Sequence, residues 1–398
     1  MVEVMGLAGG LTPKVQDMVN RLNKQCVSLD DEVSTLMRLN GRKHGKKHHQ
    51  KRRKQQRTNK SPSKKKHSMW FLNSRASCQL PYVRHEKNCA LSASTPLSPQ
   101  QATRTAEQKI CIFLHGSGET LVQPPSNSRA DYWGNIHQFT PQCSERWFIA
   151  MDTKNYGWDD LELQKRYCEL AAYHNAPGHP VVTDSSPPAL ISNTIIFAHS
   201  MGNLIFASSL KNGYCAMGHN SSWYSVASPY DGSAASIMLK DLCYHYYHGM
   251  SPSFIKKISA YVAQVAGYCV PNSPNAYQSY ISLDPNYCSP DGKQCITDLA
   301  PIVQSQLSGA SCGLSPYGLT SKYSVMLGVL SSVVGYGQSN DGMVAESSCE
   351  LTHAHEFVDD VSANFYSTTC NHADATCRNG NGWWSDRRQP CSYYTNKL

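Results

Sequence analysis

Thr194-Ile195-Ile196-Phe197-Ala198-His199-Ser200-Met201-Gly202 is the stretch that decides the fold. Thr194 to Ala198 reads as a buried strand, because a short apolar run without alternation suits a strand covered on both faces. A helix continues from the turn through Leu210. Between them, Ala198-His199-Ser200-Met201-Gly202 has the form small-x-Ser-x-Gly. A sharp turn at this junction holds a serine in a strained conformation with its Oγ exposed, and small neighbours are needed to avoid clashes. The helix N-terminus behind the serine favours developing negative charge. The five residues alone recur by chance, and an ordinary junction with a helix-capping serine is the plain alternative. The strand–turn–helix context is what makes the pattern specific, and Ser200 is the candidate nucleophile.

Upstream, Ile110-Cys111-Ile112-Phe113-Leu114 is a second continuous apolar run, ending in His115-Gly116-Ser117-Gly118. It reads as a central strand followed by a glycine-rich turn. Trp147-Phe148-Ile149-Ala150-Met151 gives another strand, residues 160–173 a helix, and Trp223 to Ala227 a fourth strand. Alternation of this kind implies an α/β protein with a mostly parallel central sheet flanked by helices. Residues 234–320, with five cysteines and many Pro and Tyr, break the alternation and read as a cap insertion. Two late strands are expected, around 325–334 and 364–369.

An acyl-transfer site needs two backbone N–H groups aimed at one carbonyl oxygen. Met201, after the candidate nucleophile, supplies one, and Ser117 is the choice for the other. A plain glycine-rich turn is the alternative reading of residues 115–118. A base must take the serine proton at neutral pH, which suits imidazole. The late candidates are His353, His355 and His372. His372 is favoured because it follows the strand-like Phe365 to Thr369, with His353 next. Asp341, in a turn-prone Asn-Asp-Gly, is the candidate to orient the imidazole.

From about residue 109 to the end, the chain resembles an α/β-hydrolase of the lipase and esterase kind. The motifs that carry the resemblance stand in family order. His115-Gly116-Ser117 is similar to the oxyanion motif on the first strand, and 198–202 to the nucleophile elbow. Ser228-Pro229-Tyr230-Asp231-Gly232-Ser233 resembles a Pro-x-x-Gly-Ser turn. Asn340-Asp341-Gly342-Met343-Val344 resembles the acid motif, and Asn371-His372-Ala373-Asp374 the histidine motif. The resemblance implies an α/β-hydrolase fold and a triad of Ser200, Asp341 and His372 cleaving an ester or lipid substrate without a cofactor. It also places Asp374 where bacterial lipases can hold structural calcium, although no carboxylate partners for it stand out, and no metal site is assigned. The elbow with its following Asn203 also resembles lecithin–cholesterol-type acyltransferases, in which an alcohol replaces water. A binding protein on an inactive hydrolase fold is the reading from a different class.

The rest of the sequence bounds these readings. Sixteen cysteines among 398 residues, not clustered as Cys-x-x-Cys pairs, point to structural disulfides and an oxidising, secretory or extracellular compartment. Cys288–Cys295 and Cys377–Cys391 are the short-range pairs expected to bridge. The first twenty residues lack the basic start and sustained apolar core of a signal peptide. The longest apolar stretch, Val325 to Val334, is too short to span a bilayer.

Residues 1–108 read as an N-terminal extension, with a possible helix at 11–40, a basic disordered tract at 41–67 and a linker at 68–108. Thirteen Lys and Arg between Arg42 and Lys66 account for the basic balance; the formal net charge of +8 becomes −5 without them. No specific nucleic-acid partner is therefore expected for the domain at 109–398. The tract itself reads as a solvated tail, with contact to an anionic surface or nuclear localisation as the functional alternatives.

Overall fold

The computed structural model describes residues 109–173, 181–249, 260, 263–264, 267–383, 387–395 and 397. The expectations for residues 1–108, including the possible helix, the basic tract and the linker, lie outside them. Seven strands form one sheet, in the order β2-β3-β1-β5-β7-β8-β9. They are β1 Lys109–Leu114, β2 Gln123–Ser126, β3 Cys143–Ala150, β5 Thr194–His199, β7 Ser222–Val226, β8 Gly309–Gly313 and β9 Phe365–Thr368. All neighbours pair in parallel except β2, which runs antiparallel to β3. A separate two-stranded parallel sheet joins β4 Ala189–Ile191 to β6 Cys215–Met217. The chain is thus an α/β protein with a mostly parallel central sheet and flanking helices.

The central strands bury both faces. On β1, Ile112 and Leu114 join one apolar cluster while Cys111 and Phe113 join the opposite one. On β5, Ile196 and Ala198 face the first cluster and Ile195 and Phe197 the second. Period-two alternation between two covered faces produces the unbroken apolar runs seen in the sequence. Helices α1 Leu161–Ala172 and α2 Met201–Lys211 cover the first face. Asp160 caps α1, its carboxylate accepting from Leu163 N–H at 2.7 Å. Trp133, Tyr393 and Tyr394 pack on the second face, whereas Trp383 is 84% exposed.

Two expectations need correction. Residues 325–334 are not a strand but most of a helix, α5 Lys322–Val334. Ser321 caps it, its side chain accepting from Tyr323 N–H, and Gly335 ends it in the left-handed region at φ 66°. These two ends override the β-branched composition between them. The second correction concerns 234–320: its far end contains β8, a strand of the main sheet. Helix α3 Ala234–Tyr247 and α5 share a third apolar cluster with the chain between them, while α4 Ala300–Gln306 leads into β8.

Six disulfides staple this framework. Cys111–Cys143 ties β1 to β3, Cys168–Cys215 ties α1 to β6, and Cys312–Cys349 ties β8 to the chain beyond Asp341. Both expected short-range pairs, Cys288–Cys295 and Cys377–Cys391, are bridged. Among the described residues, no helix is long and apolar enough to cross a membrane.

Candidate active site

Ser200 stands between β5 and α2 with φ 53° and ψ −132°. A non-glycine residue there stores about 1–3 kcal/mol of backbone strain and persists only when its surroundings hold it. They do. Ser200 N–H donates to Val226 C=O of β7 at 2.9 Å, and Asn203 Nδ2 donates to Ala198 C=O at 2.9 Å. A Cβ at Gly202 would stand 2.5 Å from His115 O, and one at Gly116 would stand 2.6 Å from Ser200 Cβ. The two glycines let the β1 and β5 turns approach, which explains why the motifs carry glycine at those positions.

The structure brings the three candidate triad residues together. His372 Nε2 lies 2.9 Å from Ser200 Oγ, and His372 Nδ1 lies 2.7 Å from Asp341 Oδ2. A carboxylate only accepts, so Nδ1 carries the proton and Nε2 presents its lone pair to the serine O–H. Asp341 is held in turn, its Oδ1 accepting from Met343 and Val344 N–H at 2.9 and 2.7 Å. His372 N–H donates to Asp341 C=O at 2.9 Å, which couples the two loops. His353 is elsewhere: its Nδ1 meets Glu356 Oε1 at 2.7 Å and its ring stacks on Phe365. His355 is exposed.

Ser117 and Met201 also meet at the site, where the Ser117 hydroxyl donates to Met201 Sδ at 3.4 Å. Among the described residues, neither of their backbone N–H groups meets a protein acceptor. Met201 is the first residue of α2, where amides lack an intrahelical acceptor. The turn bearing Ser117 is pinned by His115. Met151 N–H donates to His115 Nε2 at 3.1 Å, so the proton sits on Nδ1 and is donated to Gly116 C=O at 2.9 Å. Burial holds the pKa of His115 below the usual histidine value, in keeping with this neutral form.

Sequence reasoning missed Tyr132 and Thr153. Gly116 N–H donates to Tyr132 Oη at 2.8 Å, and the tyrosine O–H donates to His199 Nδ1 at 2.6 Å. His199 Nε2–H then donates to His372 C=O at 3.0 Å. This chain runs from the turn bearing Ser117 to the loop of the candidate base. Burial, and then the nearby His372, push the pKa of His199 well below the usual value, so it is a neutral link and not a second base. Thr153 Oγ1 donates to Gly116 C=O at 2.6 Å. Tyr132 lies in a four-residue helix, Ala130–Trp133, and Thr153 in a turn, and no local pattern marks either position.

Asp374 is fully buried. Its carboxylate accepts from Leu319 N–H at 2.7 Å and from Asn379 Nδ2 at 2.6 Å. It fastens the loop after His372 to the chain before α5. Among the described residues, no group of three or more His, Cys, Asp or Glu is arranged to hold a metal ion.

A cavity of about 260 Å³ opens at Ser200 and His372, walled by Tyr268, Tyr280, Leu283, Met326, Leu327 and Val344 among others.

No protein-family model matches the sequence. No curated protein matches it by sequence. Among solved structures, the chain is similar to lipase 1 from Pelosinus fermentans at 13% identity and TM-score 0.36, covering 72% of this chain and 97% of that one. It is similar to EstA from Clostridium botulinum at 12% identity and TM-score 0.35, covering 77% and 92%. It is also similar to phospholipase PlaB from Legionella pneumophila at 14% identity and TM-score 0.32, covering 60% of this chain and 45% of that one.

Proposed function

We propose that this chain is a serine hydrolase with an α/β-hydrolase fold that cleaves carboxylic esters. One observation carries the reading: a strained, cavity-facing Ser200 within hydrogen-bond reach of His372, itself within reach of Asp341. Three groups in successive contact meet the geometric requirement for an activated nucleophile, its base and an orienting carboxylate.

In this mechanism His372 Nε2 takes the Ser200 proton as Oγ adds to the ester carbonyl. The N–H groups of Ser117 and Met201 stabilise the resulting oxyanion. Asp341 stabilises the imidazolium, which then protonates the departing alcohol. Water, activated by the same imidazole, releases the carboxylic acid from the acyl-enzyme. The residues supply every proton transfer, and the mechanism requires no cofactor.

The test is Ser200→Ala assayed on p-nitrophenyl butyrate. Loss of one triad member costs on the order of 10⁴–10⁶ in kcat. Retention of more than about a tenth of the activity by a folded variant would overturn the assignment, because no effect on the scale expected for a nucleophile would remain.

A further inference from the structure

Arg378 also lines the cavity at Ser200, and no Asp or Glu does. Its guanidinium lies over the Tyr132 ring at 4.3 Å and the Tyr323 ring at 5.1 Å from the centroids. Nε donates to Thr376 Oγ1 at 2.9 Å and Nη1 to Tyr323 Oη at 3.3 Å. Arg378 has no ion pair with a carboxylate among the described residues. Asp374, the nearby acid, is occupied by Leu319 N–H and Asn379, and burial raises its pKa. Burial raises the pKa of Tyr132, Tyr268 and Tyr280 on this wall above the usual value, so these three are neutral. A permanent cation therefore borders the cavity, stacked on two rings, with two of its five N–H donors given to Thr376 and Tyr323 and Tyr132 also within hydrogen-bonding reach. Its backbone is fixed beside Cys377, which is bridged to Cys391.

We propose that Arg378 is a recognition residue for an anionic oxygen group on the substrate, so that the preferred esters are amphiphiles bearing a carboxylate or a phosphate. This rests on the hydrolase reading and deepens it. A planar guanidinium with five N–H donors suits both groups, since each offers paired oxygens. Pre-stacking on two rings removes much of the ordering cost of a long side chain. The low-dielectric wall strengthens the attraction relative to water. A purely structural brace is the competing role, and it predicts equal damage to every substrate.

The experiment uses the full chain and two pairs of esters differing in charge. One pair is mono-p-nitrophenyl glutarate and its methyl ester, with the anion on the acyl side. The other is dihexanoyl phosphatidylglycerol and dihexanoylglycerol, with the anion on the alcohol side. The wild-type protein should favour the anionic member of at least one pair by about tenfold or more in kcat/KM, the scale of a charge-assisted contact. Which pair shows the preference identifies the source of the anion. Arg378→Gln should bring that ratio to within about twofold of unity, and Arg378→Lys should keep part of it. No preference in either pair, or a preference unchanged in Arg378→Gln, overturns the proposal.

Calorimetric binding of the same esters to Ser200→Ala, with and without Arg378→Gln, reads anion recognition without turnover. Equal binding of charged and neutral members there also overturns it. Failure of the hydrolase reading is recognised separately, as absence of turnover on all four esters.

Discussion

At the residue scale, His372 and His353 differ in what surrounds the imidazole. His372 has a serine hydroxyl on one nitrogen and a backbone-anchored carboxylate on the other. His353 has Glu356 on Nδ1 and a stacked phenyl ring, with no nucleophile beside it. His372→Ala is therefore expected to abolish turnover, whereas His353→Ala should change kcat by less than about tenfold, since general-base contributions of roughly 10²–10⁴ belong to the true base. Steady-state kinetics on p-nitrophenyl butyrate with both variants check this. A larger loss from His353→Ala than from His372→Ala would reverse the assignment.

The motifs around Ser200, Asp341 and His372 were legible because each contains a constraint that spacing exposes. Gly202 and Gly116 are needed for close approach, and Gly342, at φ 98°, for the turn that aims Asp341. Tyr132, in a short helix, and Arg378, in a turn, reach the cavity from segments distant in sequence, so periodicity and spacing carry no trace of them.

At the scale of elements, β1 and β5 were readable because burial on both faces demands unbroken apolar residues. Strand β8, Gly309-Ala310-Ser311-Cys312-Gly313, was not. A Cβ at Gly309 would stand 2.5 Å from Asn364 O, and one at Gly313 would stand 2.7 Å from Asp341 Cβ. Close approach to β9 and to the acid loop forces small residues there, which erases the apolar signature of a strand. Helix α5 failed in the opposite sense, since Val325, Val333 and Val334 mimic a strand while Ser321 and Gly335 set helix ends.

The loop carrying Arg378, which follows the segment of His372, is closed by Cys377–Cys391, fourteen residues apart. Replacing both cysteines by serine should lower unfolding free energy by about 3 kcal/mol, the chain-entropy value for a loop of this size. Equilibrium denaturation in urea measures it, and a change below about 0.5 kcal/mol, typical of a surface substitution, would show that the bridge does not restrain the fold.

At the scale of the molecule, the six disulfides among the described residues, spread from β1 to the last turn, are consistent with an extracellular or secretory location. The cavity at Ser200 holds about 260 Å³. That is below the roughly 300–1,000 Å³ of pockets that bury drug-sized ligands, and on the proposed esterase reading it would fit a short acyl group. Across p-nitrophenyl esters from acetate to palmitate, kcat/KM should peak at about four to eight carbons. Palmitate should fall at least about tenfold below the peak, since misfitting methylenes cost of that order. A maximum at palmitate would contradict this view of the cavity.

The central claim is that Ser200 is an activated nucleophile. Treating the full chain with a fluorophosphonate and mapping the adduct by peptide mass spectrometry tests it most directly. A single stoichiometric adduct is expected on the peptide containing His199-Ser200-Met201, lost in both Ser200→Ala and His372→Ala. A folded wild-type protein that takes up no label, or takes it up on a different serine, would contradict it.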